Sequence, residues 1–207
     1  MTKVGVLAIQ GSFAEHIQAF SKLGIHAIEI RSPSDLSPDI QGLVLPGGES
    51  TTMGLFLKNY GFAESITTWW SGQSNKCMWG TCAGLILLAD NIVNEKEGGQ
   101  SKIGGLDILA SRNSYGRQRQ SSEQTILLKC PKVIGKNSEN DEFHGIFIRA
   151  PKVVDIGPGV QVLAVKPDSD EVVAVSQGNI MATTFHPELT KDLRFHQFFL
   201  HMMTGQQ

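Results

Sequence analysis

Apolar residues are arranged in two textures along the chain. From Val4 to Ile9 they form a short continuous run with Gly11 just beyond, the pattern of a strand buried on both faces rather than on one. The period then changes: Phe13, Ile17 and Phe20 share one helical face, Ser12 and Glu15 have the spacing of a capping box, and Gly24 supplies a stop. Further runs at Ala27 to Ile30, Leu43 to Leu45 and Cys77 to Trp79 are bounded by turn-forming residues. Helical stretches are predicted after Thr51, around Trp69-Trp70 and from near Ala83. Strand and helix in alternation predict an α/β fold with a mainly parallel central sheet and flanking helices.

Beyond that point the runs follow one another without long helices between them. Thr125 to Cys130, Phe143 to Ile148, Val160 to Val165, Val172 to Val175 and Ile180 to Phe185 fit strands, with Gly178-Asn179 as a tight hairpin turn. They predict an antiparallel extension of the sheet, closed by a helix from about Lys191 to Met203. Polar Asn137 to Glu142 reads as an exposed loop. A chain of 207 residues without repeat or low-complexity linker is long enough for one sizeable core and short for two, so residues 1–207 are expected to form one domain.

Composition removes some classes of partner. With 18 basic against 20 acidic residues, no charge bias draws the chain to nucleic acid or an anionic membrane. Met1-Thr2-Lys3 leads directly into the first apolar run without the features of a secretory signal, and no run approaches a membrane span. Cys77, Cys82 and Cys130 lack the paired spacings of a zinc site or disulfide scaffold. Cytoplasmic residence is the expectation. His16, His26, His144, His196 and His201 lack metal-ligand spacing and read as surface or packing residues.

Candidate chemistry concentrates in three segments. Gly80-Thr81-Cys82-Ala83-Gly84, between an apolar strand and an apolar helix, has the form of a nucleophile elbow with cysteine in place of serine. Small flanking residues let the turn lift the Cys82 side chain clear of the sheet, and the following helix N-terminus favours thiolate and offers N–H groups to an oxyanion. Alone, the pentapeptide is as well explained by a small buried cysteine in a glycine-rich turn. His186-Pro187-Glu188 follows the last strand; in extended chain positions i and i+2 point the same way, so Glu188 could orient His186 as base and acid. Pro46-Gly47-Gly48-Glu49-Ser50 follows the strand at Leu43 to Leu45, where adjacent glycines let backbone approach a ligand, unless they only form a turn before a Ser-capped helix.

With these segments assembled, the sequence resembles the class I glutamine amidotransferases, which have a flavodoxin-like fold, and within them the glutaminase subunits of the pyridoxal 5'-phosphate synthase complex. The resemblance rests on Val4 to Gly11, Leu45 to Met53, Trp79 to Leu85, Arg112 to Gln118, Gly145 to Pro151 and Phe185 to Thr190, in family order across nearly the whole chain. It implies a glutaminase that forms a γ-glutamyl thioester on Cys82, with His186 as base and acid and Glu188 as its orienter. It further implies that Gly48, Glu49, Ser50, Arg112, Ile148 and Arg149 contact L-glutamine, and that backbone N–H groups of Gly48 and Ala83 form the oxyanion hole. The mechanism needs no metal or other cofactor. The implied partner is a barrel-shaped synthase subunit that takes the ammonia to make pyridoxal 5'-phosphate. A different ammonia acceptor, a cysteine hydrolase without a glutamine site, and a non-catalytic partner-binding module are the competing readings. One departure stands out: relatives carry an aromatic residue where this chain reads Gln120-Ser121-Ser122-Glu123.

Overall fold

A computed structural model describes residues 2–71, 75–93, 101–112, 121–134 and 140–205. The first part of the chain alternates as the pattern predicts: β1 (Val4–Leu7), α1 (Phe13–Lys22), β2 (Ala27–Ile30), β3 (Gly42–Leu45), α2 (Ser50–Asn59), α3 (Phe62–Trp70), β4 (Cys77–Thr81) and a short α4 (Ala83–Leu88). The remainder comprises β5 (Ala89–Ile92), β6 (Leu106–Ser111), β7 (Ser121–Leu128), α5 (Pro131–Ile134), β8 (Glu142–Ile148), β9 (Lys152–Ile156), β10 (Gln161–Val165), β11 (Val172–Gln177), β12 (Ile180–Thr183) and α6 (Arg194–Thr204).

Among the described residues nine strands form one sheet in the order β2-β1-β3-β4-β12-β11-β10-β7-β8. Its first five members are mutually parallel, and from β12 onward every pairing is antiparallel. Strands β1, β3, β4 and β12 are buried at every position. Their side chains alternate between two cores, as the two-residue period requires. Val4, Val6, Val44, Trp79 and Met181 pack with Phe20, Phe195 and Phe199 under α1 and α6. Leu7, Leu43, Leu45, Met78 and Ala182 pack with Met53, Leu57, Ile66 and Leu85 under α2, α3 and α4. The sheet is therefore covered on both faces, which accounts for continuous apolar runs in place of alternating ones.

The pattern of the sequence did not predict β5, β6 and β9, which form a separate three-stranded sheet. Strand β5 continues the apolar run of α4, where periodicity cannot separate short helix from buried strand. The loop expected at Asn137 to Glu142 falls partly outside the described residues, and its end belongs to β8. The final helix starts at Arg194, not Lys191, after a 3-10 turn at Pro187–Leu189. Among the described residues no helix is long and apolar enough to cross a membrane.

Candidate active site

Parallel strands β4 and β12 lie side by side in register, Thr183 opposite Thr81, so the chain leaving each strand enters the same space at the carboxyl end of the sheet. Cys82 is the first residue past β4. Its φ of 49° lies in the left-handed region, sparsely populated for a residue with a side chain and tolerated where surrounding structure enforces it. The enforcement is visible. A Cβ on Gly80 would come within 2.4 Å of the Gly84 carbonyl carbon, and one on Gly84 within 1.9 Å of the Leu45 oxygen. Strand, elbow and helix thus pack backbone to backbone, and the Cys82 N–H donates to the Thr183 carbonyl at 2.8 Å. The sulfur, largely buried, lies 3.7 Å from the Ile148 carbonyl.

His186 follows β12 by three residues, anchored through its N–H to the Ile146 carbonyl at 2.8 Å. Its side chain neighbours Cys82 across Gly47 in the cleft, and its Nδ1 bonds Glu188 Oε1 at 2.7 Å on the other side. The alignment does not come from extended chain as expected. Pro187–Leu189 is a 3-10 turn, which folds Glu188 back beneath the imidazole. Burial alone would lower the His186 pKa; its interactions with Cys82 and Glu188 outweigh that and raise it well above the usual histidine range. Burial likewise opposes the Glu188 carboxylate, yet His16, His186 and the Ser12 hydroxyl hold it down at about 2.

Two of those neighbours were assigned other roles on sequence. Ser12 sits at the N-cap position of α1 but makes no side-chain cap; its Oγ donates to Glu188 Oε1 at 2.5 Å instead. His16 is completely buried, its Nε2 3.4 Å from Glu188 Oε2. Of the two roles expected of it, surface or packing, burial leaves the second, with polar neighbours besides. His26 and His144 are exposed, and His144 pairs with Glu123.

The β3–α2 loop forms the opposite wall. A Cβ on Gly47 would meet His186 Cε1 at 2.3 Å and Cys82 Cβ at 3.3 Å, so only glycine fits there. Its carbonyl accepts from the Ser12 N–H at 3.3 Å. Glu49, not Ser50, caps α2: its carboxylate accepts from the N–H groups of Thr51 (3.2 Å) and Thr52 (2.7 Å). Partial burial opposes the charge, but these bonds keep the Glu49 pKa below the ordinary range. Arg112 Nη2 lies 3.5 Å from Glu49 Oε1 and donates to Thr51 Oγ1.

The second sheet delivers Arg112. It directly follows β6, whose last residue Ser111 pairs with Lys152 at the start of β9, close after Arg149 and Pro151. Arg149 is exposed and carries a positive φ of 45°, a second strained residue beside the first. A cleft of about 250 Å³ is lined by Gly48, Glu49, Ser50, Cys82, Ala83, Arg112, Ile148, Arg149 and His186 together. Every cleft-lining residue the sequence singled out is there, and Glu188 stands behind His186. Of the Arg112 to Gln118 block, residues 113–118 lie outside the described residues, as does Gln120. Ser121 and Ser122 begin β7 opposite Ile148 and Phe147 of β8, so the departure from the family pattern sits across the ladder from one wall of the cleft.

A cysteine on a strained elbow, facing a carboxylate-backed histidine at the carboxyl ends of a parallel sheet, is the constellation of a thiol-dependent amidotransferase. The chain belongs to the SNO glutamine amidotransferase family, whose model matches residues 6–205. It is 42% identical to a probable pyridoxal 5'-phosphate synthase subunit PDX2 of Arabidopsis thaliana, over 96% of this chain and 85% of that one. It is 45% identical to the pyridoxal 5'-phosphate synthase subunit PdxT of Thermotoga petrophila, over 97% and 99%. A crystal structure of a glutamine amidotransferase superimposes with a TM-score of 0.85 at 41% identity, covering 97% of this chain and 98% of that one.

Proposed function

We propose that this chain is the ammonia-releasing subunit of a pyridoxal 5'-phosphate synthase, built as one glutaminase domain and working through Cys82, His186 and Glu188. The observation that carries the residue assignment is the meeting of Cys82 and His186 in one cleft, with Glu188 backing the imidazole at 2.7 Å. Its relatives named as synthase subunits support the acceptor.

Glutamine enters the cleft with its side-chain amide at Cys82. Thiolate attacks the amide carbon, and charge gathers on the oxygen, where the N–H groups of Gly48 and Ala83 receive it. The His186 imidazolium gives its proton to the departing nitrogen, ammonia leaves, and a γ-glutamyl thioester remains on Cys82. His186, now neutral, takes a proton from water, which attacks the thioester; the second tetrahedral intermediate expels thiolate and glutamate. Glu188 keeps the Nδ1–H of His186 fixed and offsets the imidazolium charge in both steps. At the far end of the substrate, Arg112 and Arg149 suit the α-carboxylate, since a guanidinium pairs with it in a bidentate way, while anionic Glu49 suits the α-ammonium group. Ser50 and Ile148 complete the glutamine contacts. Ammonia passes to a barrel-shaped synthase subunit docked over this face, and the pair works in the cytoplasm.

Glutamate release is the test, measured on this chain alone and with a pyridoxal 5'-phosphate synthase subunit, with Cys82→Ala as control. Release that rises with the partner and vanishes in the variant is expected. Release that survives Cys82→Ala, or none at all from folded, partner-bound protein, would overturn the reading.

A further inference from the structure

Two fully buried histidines on different helices lie end to end behind the triad. His16 (α1) and His196 (α6) are both 0% exposed, with His16 Nδ1 3.1 Å from His196 Nε2. At its other end His16 Nε2 lies 3.4 Å from Glu188 Oε2 and 3.3 Å from Thr81 Oγ1. Buried polar residues at this depth are costly and need partners. The mechanism above uses neither.

Their protons can be placed by elimination. Glu188 Oε2 and His196 Nδ1 are both buried with no hydrogen-bond partner among the described residues, His16 Nε2 approaching Oε2 to 3.4 Å without bonding it. Were His16 protonated on Nδ1, its donation to His196 Nε2 would leave an orphan N–H on His196 Nδ1, and a bare Nε2 lone pair would face the carboxylate. The opposite order has neither fault: His196 Nε2–H donates to His16 Nδ1, and His16 Nε2–H donates to Thr81 Oγ1 with its positive end 3.4 Å from Glu188 Oε2. The two atoms then left without a hydrogen bond, Glu188 Oε2 and His196 Nδ1, are both acceptors, and no buried N–H of this chain of groups is orphaned. Burial is the main influence on both rings and lowers both pKa values. At His16 it outweighs the raising effect of Glu188 and Glu15, with His186 also lowering. At His196, neighbouring His16 and Lys22 lower further and Glu188 raises. Burial thus favours the neutral form of both rings, in which His16 acts on Glu188 through its N–H dipole.

We propose that His16, set in its tautomer by His196, is a positioning residue for the reaction: its Nε2–H, bonded to Thr81, lies against the second carboxylate oxygen of Glu188 and attracts it, so that the first stays aimed at His186. Ser12 bonds Oε1 from the cleft side and the His16 N–H dipole faces Oε2 from within the core, which disfavours rotation of the carboxylate. The inference rests on the thioester reading above.

The test compares His16→Phe, which keeps a ring and removes the donor, with His16→Gln, whose amide N–H reaches near the lost Nε2–H. Both are assayed for glutamate release as the full chain with a synthase subunit, beside Cys82→Ala. Partners that orient another group contribute about 10- to 100-fold to activity, so His16→Phe is expected to lower kcat by about that factor. KM for glutamine should hold, because His16 does not line the cleft, and His16→Gln should recover most of the loss. Unchanged kcat in His16→Phe, a loss confined to KM, or no recovery in His16→Gln would each overturn the proposal. If Cys82→Ala abolishes release while His16→Phe does not, this inference alone falls. Should His16→Phe fail to fold, imidazole 15N shifts of the unmodified chain decide. Protonated Nε2 and bare Nδ1 on both rings, without titration from about pH 6 to about pH 8, are expected; an Nδ1–H on His16 would overturn the assignment.

Discussion

The elbow at Cys82 and the turn at His186–Glu188 leave neighbouring strands of one sheet and meet in one cleft, yet they are held by different physics. The elbow is held by exclusion. Gly80 and Gly84 bring backbones so close that no Cβ fits, and Cys82 occupies a φ of 49° because the packing leaves it nowhere else. The turn is held by polarity: Ser12 and His186 bond Glu188 Oε1, the Ile146 carbonyl accepts from the His186 N–H, and His16 Nε2 lies 3.4 Å from Glu188 Oε2. Steric enforcement tolerates a change of charge and fails on added volume, whereas a polar cage tolerates small changes of shape and fails when a donor or acceptor changes kind. The nucleophile and its base are thus sensitive to opposite kinds of mutation.

Glu188→Gln is the sharpest test of that contrast and carries the largest expected effect. Volume is preserved while the carboxylate becomes an amide whose NH2 can face His186 Nδ1 and favour the wrong tautomer. Removing the orienting charge from such a triad costs about 10⁴-fold in kcat. The same variant has a pH signature. Glu188 has its pKa depressed to about 2 from an ordinary 4.5, so it contributes stability that is fully present above pH 4.5 and is lost as pH falls toward 2. A melting-temperature series should find Glu188→Gln less stable than the unmodified chain at neutral pH, with the gap closing across that window. A gap that widened on acidification would contradict the assigned ionisation.

On the elbow side Gly84→Ala changes no polar group and adds one methyl, placed 1.9 Å from the Leu45 oxygen. The helix must back away from β3 and carry Cys82 with it. Overpacking of this kind costs about 1–3 kcal/mol, and a displacement of about 1 Å at a reacting atom costs about 10²-fold in rate. Glutamate release and thermal unfolding should both fall. If Gly84→Ala were silent, or Glu188→Gln unfolded the chain outright, the division between exclusion and polarity would be wrong.

The two regions also differed in how far sequence revealed them. The elbow was legible because its requirements lie in five contiguous residues, and the parallel strands because burial on both faces leaves an unbroken apolar run. His186-Pro187-Glu188 was legible as a motif but not as geometry, since a 3-10 turn and an extended segment bring these side chains together by different routes. Ser12 reaches Glu188 across 176 positions, and local spacing suggested only a cap. His16 did leave a trace: it shares the helical face of Phe13, Ile17 and Phe20, so a polar ring falls where the amphipathic pattern calls for an apolar one. Arg112 came from the family resemblance alone, because nothing local marks it without the second sheet, although Leu106, Ile108 and Ala110 keep a two-residue period of burial through β6 that could have announced that sheet.

The smallest effect is expected from Ser12→Ala, and it asks whether the cage round Glu188 works as a set of separate bonds. The hydroxyl donates to the oxygen that also meets His186, so its loss leaves that oxygen one partner and removes a hydrogen bond to a charged group, about 1.5–3 kcal/mol in general. Much of that is recovered where water can enter, and Ser12 lines the cleft. The loss in kcat should therefore stay near or below about tenfold, since each factor of ten needs about 1.4 kcal/mol. The folded-state pKa of Glu188 should rise toward its ordinary value. The stability deficit of Ser12→Ala should accordingly lie above pH 4.5, shrink as pH falls toward 2, and be smaller throughout than that of Glu188→Gln. A loss as large as that of Glu188→Gln would mean that the carboxylate hangs on Ser12 alone, and that holding it from the core side contributes nothing.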